Sequence, residues 1–443
     1  WEGIDVKIFA GTVILLVVCG SGQSRTLAQG NAPRLTLKEA MEQALMVNPE
    51  VLRSRLGIDV AEAQGRQAFS LILPRVNARG FVARNSKEIS FGSDEDRRLV
   101  LPENDWFATV TVEQPLYAGL RDRRRLNQAR LGIKAAEDMV DRSEALLLLG
   151  VAADYLQVVK ADELRTVEEE NLKLAEHRLE LARNRFEVGE VTKVDVLRAR
   201  TSVKDAERRI TDAIRDREAA VGQLRVDLAL DEGDITAVDP VDFKTPLPTE
   251  EMLLRLAEQQ RPELRLGVKE QEIADLQGKL EKGAHLPTIR AELGYLWQEV
   301  AFPSQDYGFV ALRFGIPLYK GGSVKAKVAE ATAEKHRADR FLEQARRVVR
   351  EEVRRAVLEV NTASRNLELA REQLDTAQAE YDQTMDLYSL QELTSLDTES
   401  AAASLADAGR AVVRDRLSVL FAELAAWYAS GSLKTVVFKG YAQ

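Results

Sequence analysis

The amino-acid sequence predicts a mainly α-helical protein with a membrane-inserted β-barrel portion, and three observations lead to this fold class. Only 12 of the 443 residues are proline and 26 are glycine, while 30% are charged and 6% aromatic, a composition typical of long helices and coiled coils. One unit of helix, strands and long helical hairpin occurs twice. Within each unit, short segments alternate apolar and polar residues, as half-buried or membrane strands do.

The charge pattern excludes several classes of function. The net charge is -9, and Lys and Arg are interleaved with Asp and Glu along the helical stretches, which is typical of solvated helix faces and argues against a nucleic-acid partner. The three histidines are scattered, and Cys19 is the only cysteine. We therefore predict no metal site, no cofactor, no catalytic residues and no enzymatic activity.

The first 28 residues are interpreted as a signal peptide. An apolar run, Ile8 to Val18, is followed by small and polar residues that end in Thr26-Leu27-Ala28, a plausible cleavage site. Cys19 is most simply a residue of this export segment. A second interpretation, lipid attachment at Cys19, stays open, although Val18 is larger than the residue that usually precedes a lipidated cysteine.

Two copies of one unit organise the rest of the chain. Asn48-Pro49-Glu50 recurs 213 residues later as Arg261-Pro262-Glu263, and Pro115-Leu116-Tyr117-Ala118-Gly119 recurs 202 residues later as Pro317-Leu318-Tyr319-Lys320-Gly321. The first copy therefore has 11 extra residues, which lie within Ser86 to Asp105. We divide the chain into a first repeat (29–230), a linker (231–248), a second repeat (249–432) and a tail (433–443) that has no clear period.

Both copies have the same order of elements. A helical segment of about 38 residues leads in, at Thr36 to Leu73 and again at Thr249 to Leu286. Strands bounded by proline follow, then a helix of about 70 residues, a short break and a returning helix of about 38. A helix of 70 residues spans roughly 100 Å, longer than a compact globular domain needs. The linker, rich in Asp and Pro, is predicted to be irregular.

The strand segments have one apolar and one largely polar face. Residues on the apolar faces include Val76, Ala78, Val82, Trp106, Val110, Val112, Ile289, Leu293, Tyr295, Val310, Leu312 and Phe314. The opposite faces include Arg79, Glu292 and Arg313, which would be costly in a closed apolar core. This pattern predicts a β-barrel with lipid outside and water inside, and is preferred over hairpins of a soluble protein. Four strands cannot close a barrel, so several copies must contribute.

The long helices carry heptad patterns and end in short turns. Leu126 to Leu147 in the first copy and Ala356 to Tyr388 in the second step by three and four residues, which predicts coiled-coil packing. At the turns, Thr192 and Thr394 are predicted helix N-caps, each with an aspartate at the third helical position, Asp195 and Asp397. Gln391 stands where the first copy has Gly189, so the second turn is expected to differ.

These features together resemble the outer-membrane efflux protein family typified by TolC. The resemblance covers about Leu35 to Leu433 and rests on Leu35-Thr36-Leu37-Lys38-Glu39-Ala40, the doubled Pro-Leu-Tyr-x-Gly and the tip Arg185 to Leu197. It implies a homotrimer with a 12-stranded barrel in the bacterial outer membrane, four strands from each protomer, continued by an α-helical barrel across the periplasm. The remaining alternative is a periplasmic coiled-coil scaffold or adaptor-like protein.

The function that this resemblance implies is an outer-membrane channel. It would be the exit duct of a tripartite efflux or type I secretion system, receiving substrates from a periplasmic adaptor (membrane fusion) protein and an inner-membrane transporter. The residues implied for adaptor docking and for the entrance lie at the two helical tips: Val188, Gly189, Glu190, Val191, Thr192, Asp195, Leu390, Gln391, Glu392, Leu393, Thr394 and Asp397. The transported substrate is not predicted.

Overall fold

The structure is a computed structural model that describes residues 34–92, 98–238, 246–300 and 304–439. The predicted signal peptide, including Cys19, lies outside the described residues. Elements of the first copy are β1 (Arg34–Leu35), α1 (Leu37–Val47), α2 (Pro49–Ser70), β2 (Arg75–Arg84), β3 (Ile89–Phe91), β4 (Arg98–Leu101), β5 (Asn104–Ala118), α3 (Arg121–Glu187) and α4 (Lys193–Asp227). The linker contributes β6 (Thr236–Ala237).

The second copy repeats this order without the β3–β4 hairpin. Its elements are α5 (Glu250–Gln260), α6 (Pro262–Lys282), a 3-10 turn (Gly283–His285), β7 (Thr288–Gln298), β8 (Asp306–Gly315), α7 (Ser323–Ser389), α8 (Ser395–Ala429) and α9 (Leu433–Lys439). The hairpin occupies the stretch in which the extra residues of the first copy were predicted. Among the described helices, none is both long and apolar enough to cross a membrane.

The lead-in segments are helical, as predicted, and each consists of two helices. Each breaks before a proline, so that α1 and α2 meet at Asn48 and α5 and α6 meet at Arg261. A proline at the first helical position has no N–H to donate, and the residue before it is forced into extended backbone. Asn48 is extended and caps α2, because its side-chain oxygen accepts a hydrogen bond from the Glu50 N–H at 2.9 Å.

The four long strands form one antiparallel sheet in the order β2-β5-β7-β8. The register aligns Ala78 with Val110, Val110 with Tyr295, and Leu293 with Val310, so the predicted apolar residues share one face. That face is open to the surroundings, with Val82 88% and Val310 82% exposed. Within the described strands, β2 and β8 each have a free edge.

A large apolar core lies near the middle of the long helices α3 and α7, and we call it the waist core. Its fully buried members include Met41, Leu148, Tyr155, Leu224, Leu253, Trp427 and Leu433. The linker was predicted to be irregular, but β6 in it pairs in parallel with β1, and the Tyr155 hydroxyl lies 2.9 Å from the Leu35 carbonyl oxygen and 2.5 Å from that of Val238. Helix α9, in the unassigned tail, also joins this core.

The helical hairpins pack through small side chains. In the second copy, Ala363, Ala370, Ala377, Tyr381 and Tyr388 are buried, as the heptad pattern predicted. Ala377 and Tyr381 pack against Ala401, Leu405 and Ala408 of α8. The equivalent seam of the first copy joins Ala175, Leu179 and Ala182 of α3 to Ala199, Val203 and Ala206 of α4.

Candidate functional site at the helical tips

Each helical hairpin ends in a tight turn about 100 Å along a 67-residue helix from the sheet. We call Val188 to Asp195 the first tip and Leu390 to Asp397 the second tip. Both tips present apolar side chains to the surroundings, since Val188 is 70% and Leu390 67% exposed. Leu197 and Leu396, near the starts of α4 and α8, are also more than half exposed. Exposed apolar side chains flanked by charges are typical of a protein-contact surface.

The first tip is built around Gly189. Its φ of +82° lies in the left-handed region, which glycine adopts without steric strain. The Gly189 N–H donates to the Phe186 carbonyl at 3.1 Å, and the Glu190 N–H donates to the Arg185 carbonyl at 2.9 Å. These two bonds satisfy the last carbonyls of α3 in the manner of a Schellman motif.

The second tip has the same turn, which corrects the expectation that it would differ. Gln391 adopts φ +67°, and its N–H donates to the Tyr388 carbonyl at 3.1 Å while the Glu392 N–H donates to the Leu387 carbonyl at 3.0 Å. The hydrogen bonds therefore impose the left-handed conformation on a residue that has a Cβ atom. This conformation is unfavourable for glutamine, so the second tip carries backbone strain that the first tip avoids.

Aspartates cap the returning helices at both tips, as predicted. The Asp195 carboxylate accepts hydrogen bonds from the Thr192 N–H at 2.9 Å and hydroxyl at 2.7 Å. Asp397 accepts from the Thr394 N–H at 2.8 Å and hydroxyl at 2.6 Å. Both arrangements form a capping box at the positive end of a helix. The hydrogen bonds from Thr394 lower the pKa of Asp397 from its usual range.

Arg185 joins the two tips directly, a contact that the sequence analysis did not find. Its guanidinium donates to the carbonyl oxygens of Tyr388 at 2.7 Å and Ser389 at 2.8 Å, the last turn of α7. The group also lies 4.5 Å from the centre of the Tyr388 ring, and the side chain is only 11% exposed. A cation at the negative end of a helix is favourable. The 202-residue offset places Leu387 opposite Arg185, so the second copy has no equivalent cation.

A second connection joins the starts of the returning helices. The Ser395 hydroxyl donates to the Asp195 carboxylate at 2.5 Å, and this bond, followed by that from Thr192, lowers the pKa of Asp195. Below the tips, the Ser202 hydroxyl donates to Glu399 at 3.2 Å and the Arg178 guanidinium donates to the Thr398 carbonyl at 3.2 Å. The predicted residues of both tips are therefore close together and mechanically linked within one protomer.

In the part of the chain that the structure describes, no group of His, Cys, Asp and Glu side chains is placed to hold a metal ion. The acids of the tips are engaged as helix caps or remain exposed at the surface. What the arrangement offers is a contact surface of exposed apolar and acidic side chains on a stiff support.

A family model described as outer membrane efflux protein matches residues 40–228 and 253–428. The chain is 25% identical over 434 residues to the outer membrane protein TolC of Salmonella enteritidis, covering 95% of this chain and 86% of that protein. Among solved structures, CusC superimposes with a TM-score of 0.80 at 17% identity, covering 92% of this chain and 95% of that one. VceC of Vibrio cholerae, an outer membrane protein, gives 0.75 at 16% identity, with 89% and 96% covered.

Proposed function

The chain belongs to the outer membrane efflux protein family, and from this membership we propose the assembly in which it works. The protein is a channel of the bacterial outer membrane, the exit duct through which an efflux or secretion system releases its substrates. We assign it transport and no enzymatic activity. Three protomers form the channel, with the sheets closed into one 12-stranded barrel and the helices continuing as a hollow cylinder into the periplasm.

The sheet is the observation that carries this proposal. It has one apolar and one polar face, and among the described strands its outer members β2 and β8 each leave one edge without a neighbour. Unpaired backbone N–H and C=O groups are too costly to leave in lipid, so the edges require another chain. Joining β8 of one protomer to β2 of the next repeats the sheet around a ring without leaving an edge.

We assign the two tips to docking of a periplasmic adaptor protein, which an inner-membrane transporter supplies with substrate. The exposed apolar residues Val188 and Leu390 stand beside Glu190 and Glu392, and the tips lie at the far end of α3 and α7 from the sheet. The capping residues Thr192, Asp195, Thr394 and Asp397, with Val191 and Leu393 between turn and cap, hold these side chains in place and border the entrance.

Membrane fractionation combined with mass measurement in mild detergent tests the assembly. We expect the mature protein in the outer membrane at about three times the protomer mass. Cysteine pairs placed in β2 and β8, in a background where Cys19 is replaced by serine, should cross-link between protomers. A soluble periplasmic monomer or dimer would contradict the channel and leave a coiled-coil scaffold as the better account.

Substituting Gly189 with valine tests the tip assignment. A β-branched residue is strongly disfavoured at φ +82°, so Gly189→Val should distort the first tip and impair export while the trimer still assembles. Gly57→Val is the matched control, because a Cβ atom at Gly57 meets no other atom within 4 Å and the residue lies in helix α2. Unchanged export in a strain that depends on this channel would refute the docking role.

A further inference from the structure

The polar face of the sheet carries an excess of arginine at the end nearest the helices. Arg75 begins β2, Arg290 lies near the start of β7 and Arg313 near the end of β8, and Arg79 lies four residues after Arg75 on the same face of β2. Two acids, Glu113 and Glu292, share this part of the face. Four cations therefore face two anions, in a protein whose net charge is -9.

The strand register places five of these residues in two adjacent rows across the sheet, and Arg79 lies two rows further from the helices. In the register, Arg75 lies opposite Glu113, and Glu113 lies opposite Glu292 on its other side. In the next row towards the helices, Arg290 lies opposite Arg313. The positions alternate with the apolar residues of the opposite face, so all of the charged groups lie on the side that faces away from lipid in the proposed barrel.

Local ion pairs neutralise only half of the arginines. The Arg290 guanidinium lies 3.0 Å from the Glu113 carboxylate, and Arg313 pairs with Glu292. Arg75 and Arg79 are exposed, and neither makes an ion pair within the described ranges. One further acid on this face, Asp105, stands at the loop end of β5, away from the arginine rows. The helix-proximal half of the face therefore has a net charge of about +2 from each protomer.

We propose that this arginine lining makes the channel select for anions, so that small inorganic and organic anions permeate in preference to cations. The inference rests on the proposed function, because it requires three sheets around one water-filled lumen. Closing the barrel brings three copies of the lining together, and a ring of like charges around a water-filled lumen raises the local concentration of counter-ions. Each copy contributes Arg75 and Arg79, which make no ion pair within the described ranges, because the Glu113 carboxylate opposite Arg75 pairs with Arg290.

Reversal-potential measurements on purified trimers in planar bilayers under a potassium chloride gradient test the proposal. We expect the wild-type channel to have a chloride-to-potassium permeability ratio above one. Arg79→Gln removes three charges from the ring and should lower this ratio about two-fold at roughly 0.1 M salt, and Arg79→Glu should lower it about four-fold. At about 1 M salt the differences should largely disappear, because the screening length falls to about 3 Å.

Arg84→Gln is the matched control. Arg84 lies on the same strand, has the opposite parity to Arg79 and pairs with Glu103 at 3.0 Å, so the ratio should not change. If Arg79→Gln fails to give trimers, Arg75→Gln provides the same test on the second unpaired arginine. A cation-selective wild-type channel, or a ratio that Arg79→Glu does not lower, would overturn the anion lining while leaving the channel intact. Absence of any conductance would contradict the channel itself and the lining with it.

Discussion

Replacing Arg185 with alanine should loosen the connection between the two tips. The side chain makes two hydrogen bonds to the last turn of α7 and stacks on Tyr388. Each hydrogen bond from a charged donor contributes about 1.5–3 kcal/mol, and a cation at a helix C-terminus adds about 0.3–1 kcal/mol. Because the freed carbonyls of this exposed turn can bind water, we expect a net loss of about 2 kcal/mol in the free energy of local opening.

Amide hydrogen exchange of the trimer, followed by mass spectrometry, measures this loss. Peptides that cover residues 386–395 should exchange about 30-fold faster in Arg185→Ala, since about 1.4 kcal/mol corresponds to a factor of ten. Arg185→Lys keeps the charge but loses the two-pronged geometry, and should give an intermediate rate. Arg183→Ala, an exposed arginine on the same helix, is the control. Rates for Arg185→Ala within two-fold of this control would refute the reasoning.

Three further predictions concern other parts of the chain. Gln391→Gly should relieve the left-handed strain and slow exchange at the second tip, a gain of about 0.5–1 kcal/mol. Trp427→Ala should open a cavity in the waist core and lower the free energy of unfolding by about 3–5 kcal/mol, seen in thermal unfolding. Burial, followed by the hydrogen bond and charge of Asp154, raises the pKa of Asp227 to about 6. Because the folded state disfavours the ionised carboxylate, the free energy of unfolding falls as the pH rises from about 4 to above 6. Asp227→Asn should therefore raise the unfolding temperature at about pH 7.5 but not at about pH 4.

Each of these predictions has a control of the same kind. Gln383→Gly lies inside α7 and should destabilise by about 1 kcal/mol, the opposite sign to Gln391→Gly. Phe421→Ala, on the same helix as Trp427 but partly exposed, should have a smaller effect. Asp231→Asn, at an exposed aspartate that follows the end of α4, is the control for Asp227→Asn. Equal effects in variant and control would contradict the corresponding structural argument.

Local rules were sufficient to predict the four long strands β2, β5, β7 and β8 and the helix caps. The apolar faces of the strands follow from alternation with period two, and Thr192 with Asp195 follows from capping chemistry. The heptad of the second copy was also predictable, because Ala363, Ala370 and Ala377 repeat at the spacing of a packed seam. In each case the physical cause lies within a few residues of its effect.

Contacts between distant parts of the chain could not be predicted in this way. In the sequence, Arg185 cannot be distinguished from the many surface arginines of the helices. Only the tertiary structure places it against Tyr388. The first-copy heptad had no identified partner, and the structure packs Ile133 against Gly65 of α2 instead of against the returning helix. Gln391 was expected to change the turn because glutamine, unlike glycine, disfavours a left-handed backbone. The hydrogen bonds at the end of the helix nevertheless determine its conformation.

The pairing of β1 with β6 bears on how such a chain arose. Each of these short strands precedes one copy of the unit, and they lie side by side and run in the same direction. After the first copy, the chain therefore returns to a position beside the strand at which that copy began. A gene for a single unit could be duplicated and fused at this point without reversing or displacing either product. The two halves now differ at their tips, where Arg185 has no counterpart in the second copy and Gln391 stands in place of Gly189.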